Sequence, residues 1–161
     1  MWEDPELSSD PSPPLCTSNQ VIKKKIQSAL KQNLNVIFCI GETLIEKRRK
    51  KTFSIIRNQI KLCIEKKFNL KKIIIAYEPI WSIGTGKVPH HKELKKIFHY
   101  IKIEYKKIFR TNYSPIVIYG GSVNKNSVKL LSKISEIDGF LIGGASQSSK
   151  KFIDIIKNYY K

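Results

Sequence analysis

The stretch that decides the fold is residues 72–109, KIIIAYEPIWSIGTGKVPHHKELKKIFHYIKIEYKKIF. It begins with Lys72 and a continuous apolar run, residues 73–77, and the predicted strand at residues 72–77 is typical of one buried on both faces. A loop with two glycines follows at residues 79–89. Apolar residues then recur at helical spacing over residues 91–109, at Leu94, Ile97, Phe98, Ile101 and Tyr105. The stretch therefore predicts a strand, a long loop and a helix in succession.

The same order repeats on both sides of this stretch. Further apolar runs predict strands at residues 35–40, 116–119 and 139–142. Helical spacing and capping residues predict helices from Ser18 or Asn19, over residues 43–67, from Asn124 through Ser132, and from about Ser149 to Tyr160. Continuous apolar strands that alternate with helices indicate an α/β fold with a parallel sheet, in which ligands bind at the carboxyl ends of the strands.

Length and composition limit the possible function classes. The chain has 161 residues, enough for one domain but fewer than the roughly 250 of a complete (β/α)8 barrel. Its net charge is +17, but the lysines are spread over every predicted helix and only four arginines are present. This dispersion indicates biased composition rather than a nucleic-acid-binding surface.

The cysteines and the N-terminal residues bear on compartment and domain organisation. Cys16, Cys39 and Cys63 have no disulfide-scaffold or metal-ligand spacing, which favours a cytoplasmic protein. No apolar run has the about 18 residues of a membrane span, and no signal peptide is indicated. Residues 1–14 contain four acids, four prolines and no base. We therefore expect residues 1–17 to be a disordered or foreign leader, and residues 18–161 to be the folded domain.

The candidate site lies where three predicted strands end. Glu78 directly follows one strand, and its carboxylate is either a structural group or a general base. Its loop has a glycine-rich tip between stiffer ends, which suits a mobile lid. The turns at residues 120–122 and 143–146 each open with two glycines and lead towards a helix. Such turns let backbone N–H groups approach a phosphate closely.

Four segments together resemble the triosephosphate isomerase family. They are residues 39–44 (CIGETL), 76–87 (AYEPIWSIGTGK), 119–123 (YGGSV) and 138–146 (DGFLIGGAS), in family order and at family spacing. The resemblance covers about residues 18–161 and implies the last four strand–helix units of a (β/α)8 barrel, a partial TIM barrel. It also implies isomerisation of dihydroxyacetone phosphate and glyceraldehyde 3-phosphate through an enediolate, in glycolysis and gluconeogenesis.

The resemblance implies a role for each site residue. Glu78 would be the catalytic base and residues 79–89 the lid. Phosphate binding is implied for Gly84, Ser122, Gly143 and Gly144. Lid or latch roles are implied for Pro79, Trp81, Thr85, Gly86 and Tyr119. Supporting roles are implied for Cys39 and Glu42, with Glu42 as a structural ion-pair partner rather than an acid catalyst. No metal or organic cofactor is implied.

The chain also departs from the family pattern. The family's first four strands, with a catalytic Asn, Lys and His, have no counterpart here, and His90, His91 and His99 do not match that His. Pro89 stands at a lid hinge that often has Ala, and because it lacks an N–H it cannot donate to a latch from Tyr119. Lys47 and Lys50 stand where the family often has Arg and Gly.

These departures leave three alternatives open. The chain is either one half of an isomerase, active with its other half, or an inactive remnant, or a basic nucleic-acid-binding module. The intact lid motif favours the first alternative, and the dispersed lysines argue against the third. Because four strands leave two open sheet edges, we expect self-association or pairing with a missing N-terminal half. The expected small-molecule partner is a triose phosphate, with no membrane contact.

Overall fold

The computed structural model describes residues 18–160, so the expected leader at residues 1–17 lies outside the described residues. Its four strands form one parallel sheet in the order β1-β2-β3-β4. The strands are β1 Val36–Ile40, β2 Ile73–Tyr77, β3 Val117–Tyr119 and β4 Gly139–Phe140. The prediction of an α/β fold with a parallel sheet, as in a partial TIM barrel, is confirmed.

One helix precedes the first strand, and the others connect or follow the strands. They are α1 Asn19–Lys31, α2 Leu44–Arg48, α3 Thr52–Cys63, α4 His91–Phe109, α5 Ser127–Leu131 and α6 Ser149–Tyr159. Single 3-10 turns lie at Leu70–Lys72, Ile80–Ser82 and Gly144–Gln147. None of the helices in residues 18–160 is both long and apolar enough to cross a membrane.

The helix predicted over residues 43–67 is wrong as a single element. Thr43 and Glu46 form a capping box at the start of α2, but Lys50 then adopts a left-handed conformation with φ 57° and interrupts the helix. A second helix, α3, runs only to Cys63, because Ile64 is extended. The helix predicted from Asn124 also starts later, since the Asn124 side chain accepts from the N–H groups of Asn126 and Ser127 in a turn before α5.

The sheet has two unlike faces. Side chains such as Phe38, Ile75 and Tyr119 point to the helices and are buried in the core. On the other face, Ile37 is 48% exposed and the aligned Ile74 is only half-buried. The expectation that the strands are buried on both faces is therefore wrong for this chain. In a closed barrel the side chains of all eight strands fill that face, whereas residues 18–160 contribute four strands.

Candidate active site at the carboxyl ends of the strands

Glu78 is held between the ends of two neighbouring strands. Its backbone N–H donates to the carbonyl oxygen of Ile40 at 2.7 Å, which extends the β1–β2 pairing by one residue. On the other side, the N–H of Gly120 donates to the carbonyl oxygen of Tyr77 at 2.9 Å. The carboxylate therefore projects, half-buried, from the carboxyl end of the sheet.

Two glycines make room for Glu78. A Cβ atom on Gly41 would overlap the Glu78 carbonyl oxygen, and one on Gly120 would lie 2.5 Å from both Glu78 Cγ and Glu78 Oε1. Real Cβ atoms do not approach other atoms so closely, so any side chain at either position would displace Glu78. The strand ends beside Glu78 are thus shaped around it.

The surroundings of Glu78 suit a general base. Burial raises the pKa of its carboxyl group, while interaction with the Cys39 thiol lowers that pKa by a smaller amount. Partial burial and the nearby Glu78 charge raise the pKa of Cys39 to about 11. At neutral pH Cys39 is therefore a neutral thiol and not a nucleophile. A carboxylate with a raised pKa holds a proton more firmly and is a better base near neutral pH.

Glu42 is fully buried and accepts hydrogen bonds from two aromatic side chains. The Tyr77 hydroxyl lies 3.2 Å and 3.1 Å from its two carboxylate oxygens, and Trp81 Nε1 donates at 3.0 Å. Burial, reinforced by the Glu42 charge, raises the pKa of Tyr77 well above its usual range, so Tyr77 remains a donor. The expected ion pair of Glu42 does not occur among the ion pairs of residues 18–160. Its partners are neutral donors, and through Trp81 it is hydrogen-bonded to the start of the loop.

Ser82 joins both ends of the loop at residues 79–89 to strand β3. Its hydroxyl donates to the carbonyl oxygen of Lys87 at 2.5 Å, and the backbone N–H of Ser122 donates to Ser82 Oγ at 3.3 Å. Because the single Ser82 proton is used on Lys87, the Tyr119 hydroxyl, 3.1 Å away, donates to Ser82. Tyr119 thus contacts the loop through Ser82, which the sequence motifs did not single out. The latch role of Tyr119 stays a prediction.

The tip of the loop is held by hydrogen bonds within the loop. The Thr85 hydroxyl lies 3.2 Å from the carbonyl oxygens of Trp81 and Ser82, and accepts from the Lys87 N–H at 3.2 Å. On either side of it, Gly84 and Gly86 have φ of 69° and 74°, a conformation that favours glycine. The predicted glycine tip is therefore present, and all three of its residues are exposed.

The two turns expected to bind phosphate, residues 120–122 and 143–146, differ in the hydrogen bonds that their N–H groups make in the structure. Ser122 already donates its N–H to Ser82, so an anion bound there would have to replace that bond. In the other turn, the Ser146 N–H and hydroxyl both donate to the Gly143 carbonyl oxygen, at 2.8 Å and 2.7 Å. A Cβ atom on Gly143 or Gly144 would have no neighbouring atom within 4 Å. Both turns lie at strand carboxyl ends, as predicted, and the second is open to a ligand.

Other side chains near the site hold it together. The Gln59 amide bonds both the N–H and the carbonyl oxygen of Gly41, at 3.0 Å each, and fixes the turn before Glu42. His90 Nδ1 accepts from the Lys92 N–H and caps α4. Among residues 18–160, no group of His, Cys, Asp and Glu side chains is arranged so that it could hold a metal ion.

Comparison with known proteins agrees with the geometry. The family model described as triosephosphate isomerase matches residues 14–159. The triosephosphate isomerase of Borrelia garinii subsp. bavariensis is 42% identical over 146 residues, 88% of this chain and 58% of that protein. That of Mycoplasma mobile is 41% identical over 87% of this chain and 55% of the relative. That of Yarrowia lipolytica is 41% identical over 88% of this chain and 57% of the relative. The chain thus spans little more than half the length of these relatives.

Proposed function

The chain belongs to the triosephosphate isomerase family, and on that premise we propose that it supplies the catalytic base, the lid and the phosphate turns of a triosephosphate isomerase site. The observation that carries the proposal is the position of Glu78: a half-buried carboxylate with a raised pKa, enclosed by Gly41 and Gly120 at the start of the lid. The reaction interconverts dihydroxyacetone phosphate and glyceraldehyde 3-phosphate.

In this proposal, Glu78 moves one proton between two adjacent carbons. The ionised carboxylate takes the proton from the carbon next to the substrate carbonyl, and an enediolate forms. The protonated carboxyl then returns the proton to the neighbouring carbon. Because the carbonyl group changes place between these two carbons, one proton also passes from the hydroxyl oxygen of the first carbon to the oxygen of the second, so no net acid or base is consumed. The Asn, Lys and His that complete the site by family resemblance belong to the first four strands of the family barrel.

The phosphate group of the substrate binds the backbone N–H groups of Gly84, Ser122 and Gly144, with Gly143 shaping the last turn. Because Ser122 presently donates to Ser82, phosphate binding and lid movement are coupled through this serine. The lid comprises residues 79–89, with Trp81 at its start and Thr85 and Gly86 at its tip. Closure over the phosphate excludes water from the enediolate.

The proposed partner of the chain is either a second copy or a polypeptide that carries the other four strand–helix units. The half-open sheet face supports this, since Ile37 is 48% exposed there. So does the surface of α6, where Phe152, Ile156 and Tyr159 are each about 40% exposed. A cytoplasmic location in glycolysis and gluconeogenesis is proposed from the family and from the unbonded thiols of Cys39 and Cys63.

The test measures isomerase activity with glyceraldehyde 3-phosphate, for the 161-residue chain alone and after refolding with the first four strand–helix units of a relative. We expect activity only in the mixture, and a loss of about 10²–10⁴-fold in Glu78→Gln. Glu136→Gln is the matched control, because Glu136 precedes β4 at the opposite end of the sheet. Retention of activity by Glu78→Gln would refute the proposed base. An inactive mixture whose far-ultraviolet spectrum shows folded protein would identify an inactive remnant.

A further inference from the structure

Lys47 lies near the start of the lid and contacts two other elements. It lies on α2, and its ammonium nitrogen is 4.0 Å from the centroid of the Trp81 ring. The same nitrogen is 2.8 Å and 2.9 Å from the two carboxylate oxygens of Glu93, in the first turn of α4. The Lys47 side chain is 26% exposed, so these contacts are partly shielded from water.

These contacts join the two ends of the lid. Trp81 lies three residues after Glu78, in the 3-10 turn Ile80–Ser82 at the start of the lid. Glu93 lies four residues after Pro89, in the helix that follows the lid. One ammonium group therefore binds the entrance of the lid by a cation–π contact and the helix that follows the lid by an ion pair.

The Trp81 ring has a second, different restraint. Its Nε1 donates to Glu42 at 3.0 Å, which fixes the edge of the ring but leaves it free to turn about that bond. The Lys47 charge lies against a ring face, where the negative charge of the aromatic system attracts it. The two contacts together fix both the position and the tilt of the ring.

We propose that Lys47 is a positioning residue that holds the Trp81 ring, and with it the start of the lid beside Glu78. This role rests on the proposed function of residues 79–89 as a lid. Lys47 is a point charge with three donors, so it serves two carboxylate oxygens while its charge remains over the ring. An arginine in its place would also pair with a carboxylate and stack on an aromatic ring.

The test follows Trp81 fluorescence in the full chain. Because Trp2 and Trp81 are the two tryptophans of the sequence, a Trp2→Phe background assigns the signal to Trp81. Lys47→Met keeps most of the stem that covers the ring and removes the charge. We expect the acrylamide quenching constant of Trp81 to rise about twofold or more in Lys47→Met. In Lys47→Arg we expect the quenching constant to stay at the parent value.

The matched control is Lys102→Met, which removes a lysine of similar exposure, 21%, from its ion pair with Asp138. Equal quenching constants of Trp81 in Lys47→Met and Lys102→Met would overturn the proposal. Should Lys47→Met fail to fold, Glu93→Gln serves instead, because it leaves Lys47 in place but releases it from α4. A rise in quenching supports the proposal and an unchanged value overturns it. Quenching is read without substrate, so failure of the proposed isomerase activity would be seen separately.

Discussion

The Glu78 side chain occupies the space that a side chain at Gly120 would need. A Cβ atom there would lie 2.5 Å from Glu78 Oε1 and 2.9 Å from Glu78 Cδ. Gly120 itself is fixed, because its N–H donates to the Tyr77 carbonyl oxygen at 2.9 Å. The position of the proposed base is therefore set by a missing side chain on the neighbouring strand end.

Gly120→Ala is expected to move the Glu78 carboxylate and to lower kcat by about 10²-fold or more, because a displacement of about 1 Å at a catalytic group has an effect of that size. The measurement is steady-state kinetics of the assembled enzyme. Gly139→Ala is the control, since its Cβ would be 3.3 Å from Ile118 Cγ2 and needs only a small adjustment. Equal kcat values for the two variants would contradict the steric argument.

Ser82→Ala is expected to loosen the lid. The buried hydroxyl contacts the Lys87 carbonyl oxygen, the Tyr119 hydroxyl and the Ser122 N–H. Removing it leaves these groups without that partner, at a cost of about 1–3 kcal/mol. Urea unfolding measures the stability, and amide exchange over residues 83–88 measures the local loosening. Ser135→Ala, which removes an exposed contact to Glu136, should change neither quantity.

The sequence predicted the sheet and much of the site because those signals are local. Continuous apolar runs marked the four strands, and the motif around Glu78 marked the base and the lid. The break at Lys50 was missed because no glycine or proline marks it; a lysine takes the positive φ. The contacts of Ser82 and Lys47 were also missed, because their partners Tyr119 and Glu93 lie 37 and 46 residues away along the chain. Only the folded chain brings such residues together.

The raised pKa of Glu78 predicts a particular pH dependence of stability. Burial makes the folded chain bind the Glu78 proton more tightly than the unfolded chain does. The stabilising contribution of the protonated group is therefore complete below the ordinary glutamate pKa, about 4.3, and is lost as pH rises through the raised value. Glu78→Gln, which stays neutral, should gain stability relative to the parent as pH rises above about 4.3. If the free energies of unfolding of the two proteins, measured in urea, changed with pH in parallel, this linkage would be contradicted.

The same shift predicts the acid limb of the activity profile. A base must be ionised to take a proton, so kcat/KM should fall as pH drops through the Glu78 pKa of the free enzyme. Since burial raises that pKa, the fall should begin at a higher pH than an ordinary glutamate would give. A limb centred at or below about pH 4.3 would contradict a raised Glu78 pKa as its cause.

The open face of the sheet predicts how assembly fails. Ile37 lies on that face at 48% exposure, aligned with the half-buried Ile74 of β2. Ile37→Asp should leave the helix-side core unchanged but place a charge where a partner's apolar side chains must pack, which is unfavourable without a paired cation. Sedimentation should then show loss of self-association or of binding to the complementary half.

Leu62→Asp, at 52% exposure on α3, is the control, because α3 packs on the opposite face. If Ile37→Asp still assembled like Leu62→Asp, the open sheet face would not be the interface, and the helix surfaces would have to provide it.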